Sequence, residues 1–142
     1  MANIHDVATY ILDKLGLMTA MKLQKLVYYS QAWSLVWDEK PLFSQRIEAW
    51  ANGPVAPDLY EVHRGMFEVG SWALGNKNAL TPDEADTVNA VLVFYGGKSS
   101  QYLSDLTHKE EPWREARAGL PPGARGTKEI TLSSMAEYYG SL

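Results

Sequence analysis

The sequence contains no cysteine. This excludes disulfides, thiolate metal ligands and cysteine nucleophiles together, and it fits a reducing compartment. Long apolar runs are also missing. The run Ala90-Val-Leu-Val-Phe-Tyr95 is about the longest, far short of the ~20 residues of a membrane span. Residues 1–20 include Asp6 and Asp13 and no basic segment leading into an apolar block, so they lack the form of a signal peptide. The expectation is a cytoplasmic protein with no membrane partner.

Positive charge is scarce. Thirteen Lys and Arg against 17 Asp and Glu leave a net charge of −4, whereas binding to nucleic acid relies on basic surfaces that neutralise phosphates. Nucleic-acid partners, including the protein's own promoter, are therefore disfavoured. Arg114, Arg117, Arg125 and Lys128 outnumber Glu115 within one stretch, which reads as scattered charge on a solvated loop.

Catalytic patterns are absent too. The histidines His5, His63 and His108 are far apart and form no His-Glu-x-x-His, and there is no Gly-x-Ser-x-Gly elbow. Gly97-Lys98-Ser99 has the end of a phosphate-binding loop, but the glycine needed five residues earlier is Leu92. No catalytic residue, metal site or cofactor is expected. The one cluster that could do acid–base work is His108 with Glu110 or Glu111, and a small enzyme built on it is the alternative.

What the sequence does hold is the material of an ordered domain. It is 46% hydrophobic and 21% charged, a balance that excludes a disordered chain, and its length suits one domain spanning 1–142. Ile4, Val7, Ala8, Ile11, Leu12 and Leu15 follow helical spacing between Asn3, a cap, and Gly16, a stop. His5 in the first turn reads as a surface residue. Thr19 opens a second helix through Trp37, with Leu23, Leu26, Val27, Trp33 and Trp37 inward, Lys22, Gln24 and Lys25 flanking, and Tyr28, Tyr29 and Gln31 widening the face.

Leu42-Phe43 and Ile47–Trp50 are too short for helices and read as strands or an extended hairpin, followed by the breaker Asn52-Gly-Pro. Pro57 and Asp58 begin a third helix, with Leu59, Tyr60, Val62, His63, Met66 and Phe67 on its faces, His63 only partly buried. Thr81-Pro-Asp-Glu84 is a capping box before the stripe Ala85, Val88, Val91, Leu92 and Tyr95. Short helices follow from Ser99 or Ser100, at Pro112-Trp113, and from Ser133 to Tyr139. The class is mainly α: a compact bundle of about six or seven helices with a small β element or extended hairpin around residues 42–50.

Aromatic residues gather in one region. Tyr28, Tyr29, Trp33, Trp37, Trp50 and Tyr60 all fall between Thr19 and Tyr60. Such side chains dominate cores and interfaces alike. Lys22 and Lys25 beside Tyr28 and Tyr29 could anchor a partner, or the tyrosines could be core and the lysines merely solvated.

The same region carries a resemblance. Lys22-Leu-Gln-Lys-Leu-Val-Tyr-Tyr29, Pro41-Leu-Phe43, Ile47-Glu-Ala-Trp50, Gly53-Pro-Val55 with Leu59-Tyr60, and Leu103-Ser-Asp-Leu-Thr-His108 with Pro112-Trp113 stand in one order. That ordered set, over residues 4 to 139, resembles the Panacea domain, the SocA-like or phage-associated GepA-type antitoxin family. The resemblance implies an antitoxin of a bacterial or prophage toxin–antitoxin pair that neutralises a cognate protein toxin by direct binding. Toxins paired with the family include translation inhibitors, and a second mechanism it implies is an adapter delivering the toxin to a cellular protease. At this length the domain would act alone. The expected partner-binding residues are Lys22, Lys25, Tyr28, Tyr29, Trp50, Asn52, Gly53, Pro54, Val55, Tyr60, His108 and Trp113.

Overall fold

Helix α2, Ala20–Trp37, is the axis of the molecule. The structure is a computed structural model describing all 142 residues, Met1–Leu142. Every residue of α2 from Leu23 to Ala32 is buried, so this helix has no solvent-exposed face over its middle turns. A helix apolar or occupied around its circumference must be covered on all sides. The cover comes from α1 (Ile4–Leu15), α4 (Pro82–Tyr95), α5 (Ser100–Lys109), α7 (Leu132–Gly140) and the strand β3 (Gly53–Val55). Helices α3 (Pro57–His63) and α6 (Glu111–Ala116) complete a mainly α architecture of seven helices.

The helices begin where local chemistry places them. Asn3 and Asp6 close a capping box on α1, and Thr81 and Glu84 do so on α4. Each pair satisfies two backbone N–H groups that a helix start leaves open. Glu84 also accepts from the Ala2 N–H at 3.2 Å, tying the start of the chain to α4. Thr19 caps α2, Ser99 caps α5 and Thr131 caps α7.

The extended element is shifted from its expected place. Strand β2 (Glu48–Trp50) pairs antiparallel with β3, Glu48 opposite Val55 and Trp50 opposite Gly53. Leu42 and Phe43 are buried but form no strand. Their backbone is held by a side chain: Gln31 Oε1 accepts from the Leu42 N–H at 2.7 Å, and Gln31 Nε2 donates to Phe43 O at 2.8 Å. The segment before α7 flanks the hairpin, with Ala49 N–H donating to Lys128 O and Ile130 N–H to Ile47 O. A second small pair, β1 (Met18–Thr19) with β4 (Glu68–Val69), lies outside the sequence expectation.

Other assignments also change. Helix α3 ends at His63, and Met66 and Phe67, expected on its faces, are exposed in the turn beyond it. His63 is buried, its Nε2 accepting from Gln24 Nε2 at 3.0 Å. His5 is half-buried, because its Nδ1 accepts from Trp72 Nε1 at 3.1 Å. Trp33 is half-buried and Trp37 is 50% exposed, because both face an open groove between α2, α4 and α5. No helix is long and apolar enough to cross a membrane.

Candidate functional site

The hairpin β2–β3 presents its turn, Ala51-Asn52, at the surface, with Asn52 exposed. Helices α5 and α6 hold that turn. Trp113 of α6 donates from Nε1 to Trp50 O at 2.8 Å. Ser104 of α5 donates from its hydroxyl to Asn52 O at 2.6 Å. His108, at the end of α5, lies flat on Trp113 with ring centres 3.9 Å apart and planes 9° apart. The Arg117 guanidinium sits 5.1 Å from the other ring partner's centre, Trp113, and donates to Ala49 O at 3.1 Å and Ala124 O at 2.6 Å. Arg117 is therefore buried and structural, unlike the solvated charge its sequence context suggests.

Trp50 itself packs edge-on against Tyr60 of α3, 5.0 Å between centres, and its Nε1 donates to Glu48 Oε1 at 2.9 Å. Glu48 accepts from Arg46 through its other oxygen at 2.8 Å. Trp50, Asn52, Tyr60, His108 and Trp113 thus come together around one turn, and all retain some exposure. Beside them is a pocket of about 250 Å³, walled by Met21, Trp50, Val55 and Gly126 and carrying Arg125. Met21 and Arg125 were not among the expected residues. Their approach depends on the loop after α6 folding back on the hairpin, a long-range contact that no local pattern signals.

Lys25 underlies the turn. It is only 1% exposed, and its Nζ has no hydrogen-bond partner. Burial pushes its pKa down to about 7, because an ammonium loses its hydration there. His108 Nε2 is likewise buried and unpartnered. The imidazoles of His63 and His108 are both held below the usual histidine range, mainly by burial, with the Lys25 charge acting in the same direction.

Several expected partner-binding residues have no accessible face. Lys25, Tyr28, Tyr29, Gly53, Pro54 and Val55 are buried. The reason is the cover on α2: Tyr29 stacks on Tyr95 of α4 at 4.1 Å, and Tyr28 packs edge-on against Tyr139 of α7 at 6.1 Å. In this structure these six are interior packing residues. Lys22 is half-exposed in the first turn of α2.

Glu110 and His108 engage different partners. Glu110 Oε1 accepts from the Tyr29 hydroxyl at 2.6 Å and the Tyr139 hydroxyl at 2.8 Å, and Tyr139 meets Tyr28 at 3.0 Å. Glu111 is exposed. Burial raises the Glu110 pKa, while the two tyrosine hydrogen bonds oppose the rise. No hydrogen bond or ion pair joins His108 to Glu110 or Glu111. No group of three or more His, Asp or Glu is arranged to hold a metal ion.

No curated protein and no solved structure matches the chain significantly. A protein-family model does match, over residues 23–114 and so over well more than half of the chain; its description is "Antitoxin SocA-like, Panacea domain". The matched span runs from the first turns of α2 into α6 and takes in Lys25, the hairpin, His108 and Trp113. The description names an antitoxin, and a toxin is the kind of partner this implies. On that match the chain belongs to the SocA-like antitoxin family and carries its Panacea domain.

Proposed function

We propose that the chain neutralises a cognate protein toxin by binding it directly, and that the toxin is read at the hairpin turn. The observation that carries this reading is the fixing of the turn around the exposed Asn52: Ser104 donates to Asn52 O, Trp113 donates to Trp50 O, and Lys25 packs beneath Gly53. A binding surface gains affinity when its ordering is already complete before the partner arrives. Aromatic side chains with part of their area free, here Trp50, Tyr60 and Trp113, are the types that anchor protein interfaces. Residues 1–142 are taken as one antitoxin domain, because α1 and α7, which flank the matched span, both pack on α2. The encounter would take place in the cytoplasm, and a translation inhibitor is the toxin class favoured by the resemblance.

The test is co-expression with the product of the adjacent gene, since toxins and their antitoxins are encoded together. That product should arrest growth alone, growth should return with this chain, and the two should co-purify. Asn52→Arg, a change at an exposed position, should abolish rescue without unfolding the protein. A neighbour that is harmless alone would sink the reading. Rescue that requires a cellular protease and lowers toxin levels would replace direct neutralisation with delivery for degradation.

A further inference from the structure

On the other side of α5 from the hairpin lies a groove of about 550 Å³ that the sequence did not reveal. Thr107 of α5 faces Gly53, whereas Tyr102 and Leu106 line the groove. Its floor includes Trp33 and Tyr95, joined by the Trp33 Nε1–H donating to the Tyr95 hydroxyl at 3.0 Å. Trp33 and Trp37 stack at 4.9 Å along the wall formed by α2. Trp37 is 50% exposed and Phe94 73% exposed at the rim, with Val93 at 88% on the same stretch of α4. Neighbouring large apolar side chains left open to water in this way are the mark of an interaction site.

The single acidic residue lining this groove is Glu110. Its Oε1 is taken by Tyr29 and Tyr139. Its Oε2 takes no protein hydrogen bond and is not among the buried unpartnered atoms, so it remains open to solvent. That oxygen restricts what can cover the groove. A purely apolar occupant would strip water from a carboxylate and give nothing back, which disfavours it strongly. An occupant with a cation avoids the cost by a charge-assisted hydrogen bond, and the aromatic lining from Trp33 and Trp37 suits the same cation, while Tyr102 already holds the Lys98 ammonium 5.1 Å from its ring centre.

We propose that this groove docks an apolar segment of the toxin carrying one arginine or lysine, whose cation meets Glu110 between the aromatic walls. The identity of the partner rests on the antitoxin reading above; the chemistry of the segment rests on the groove. Arginine fits best, because its planar, weakly hydrated guanidinium both stacks on rings and pairs with a carboxylate. The toxin then grips α5 from both sides, at the hairpin turn and in the groove.

The experiment uses the full chain and the purified product of the adjacent gene, with affinities measured by calorimetry for wild type, Phe94→Asp, Glu110→Gln and Asn52→Arg. Circular dichroism and thermal melts confirm that each variant is folded. Phe94→Asp should weaken binding about tenfold or more. Glu110→Gln keeps an acceptor for the tyrosines and removes the charge; it should weaken binding and flatten its dependence on salt. Wild-type affinity in both groove variants, with loss only in Asn52→Arg, overturns the groove assignment and leaves the antitoxin reading intact. A wild-type dimer that Phe94→Asp dissolves assigns the groove to a second copy and also overturns it. No binding of the toxin by wild type removes the direct-binding reading and this inference with it.

Discussion

Lys25 and Gly53 fit against each other so closely that a β-carbon on Gly53 would lie 2.7 Å from Lys25 Cε and 3.1 Å from Lys25 Nζ. The same β-carbon would stand 3.2 Å from the Thr107 hydroxyl. The tip of the hairpin is thus pressed onto the amine of the central helix, and the space for it exists because residue 53 has no side chain.

Gly53→Ala should destabilise the protein for two separable reasons. The backbone at Gly53 has φ of +123°, a conformation that residues with a β-carbon rarely adopt. Such strain costs about 1–3 kcal/mol, and displacing the buried Lys25 stem adds to it. Urea unfolding should show a loss of about 2 kcal/mol or more. Lys25→Ala placed in the same background relieves only the contact. A partial recovery in the double variant would assign the remainder to φ together with the Thr107 contact.

Lys25 also sets the sign of a pH dependence. Its pKa is pushed down to about 7 in the fold, against an ordinary 10.5, by burial. Between these values the unfolded chain holds the proton and the folded one does not, so stability rises with pH across that window. One such group contributes a slope of up to about 1.4 kcal/mol per pH unit. His63 and His108, held below their ordinary range, titrate beneath the window and do not oppose it. Unfolding free energies measured from about pH 7 to about pH 9.5 should climb for wild type and stay flat for Lys25→Met. A flat wild-type profile would mean that the amine keeps its proton in the fold.

The starts of the helices were legible in the sequence because capping is local. Asn3 with Asp6, Thr81 with Glu84, and Ser99 each lie within one turn of the groups they satisfy. Membership of the family was legible for a similar reason, as short motifs kept in one order. What stayed hidden depends on contacts across the chain. Lys25 flanking an apolar stripe has the pattern of a solvated lysine, and its burial follows from α5 and β3 closing over that side of α2. Trp37 has the spacing of a core residue, yet it lies on the wall of an open groove that α4 and α5 do not close. The break at Asn52-Gly-Pro was legible as a turn, whereas the Glu110 groove was not, since its walls come from α2, α4, α5 and Leu142.

The tyrosines around Glu110 should show their effect most at neutral pH. Tyr29 and Tyr139 donate to one carboxylate oxygen, and these bonds pull down a Glu110 pKa that burial raises. Tyr29→Phe removes one donor, so the pKa moves further up. A carboxyl raised in the fold contributes stability that is present below its ordinary 4.5 and lost as pH rises through the folded value. Tyr29→Phe should therefore cost about 1.5–3 kcal/mol near neutrality and clearly less once the pH falls below the ordinary 4.5. Equal losses at both pH values would show that the carboxylate is not what the hydroxyl stabilises.

Gln31 offers a test in which burial and hydrogen bonding pull in opposite directions. It is 1% exposed on α2, where leucine would bury more apolar area and, by that measure alone, improve the core. Its amide, however, takes the place of a strand partner: Oε1 accepts from Leu42 N–H at 2.7 Å, and Nε2 donates to Phe43 O at 2.8 Å. Gln24, seven residues earlier, does the same at Ala56, accepting from its N–H at 2.8 Å and donating to its carbonyl at 3.2 Å. Gln31→Leu leaves a buried donor and a buried acceptor without partners, at about 1–3 kcal/mol each. The balance favours a net loss of about 2–4 kcal/mol in urea unfolding, accompanied by faster amide exchange at Leu42. Leucine that matched or improved on the native stability would mean that burial outweighs the clip, and the extended segment at Leu42-Phe43 would then need another explanation for its position.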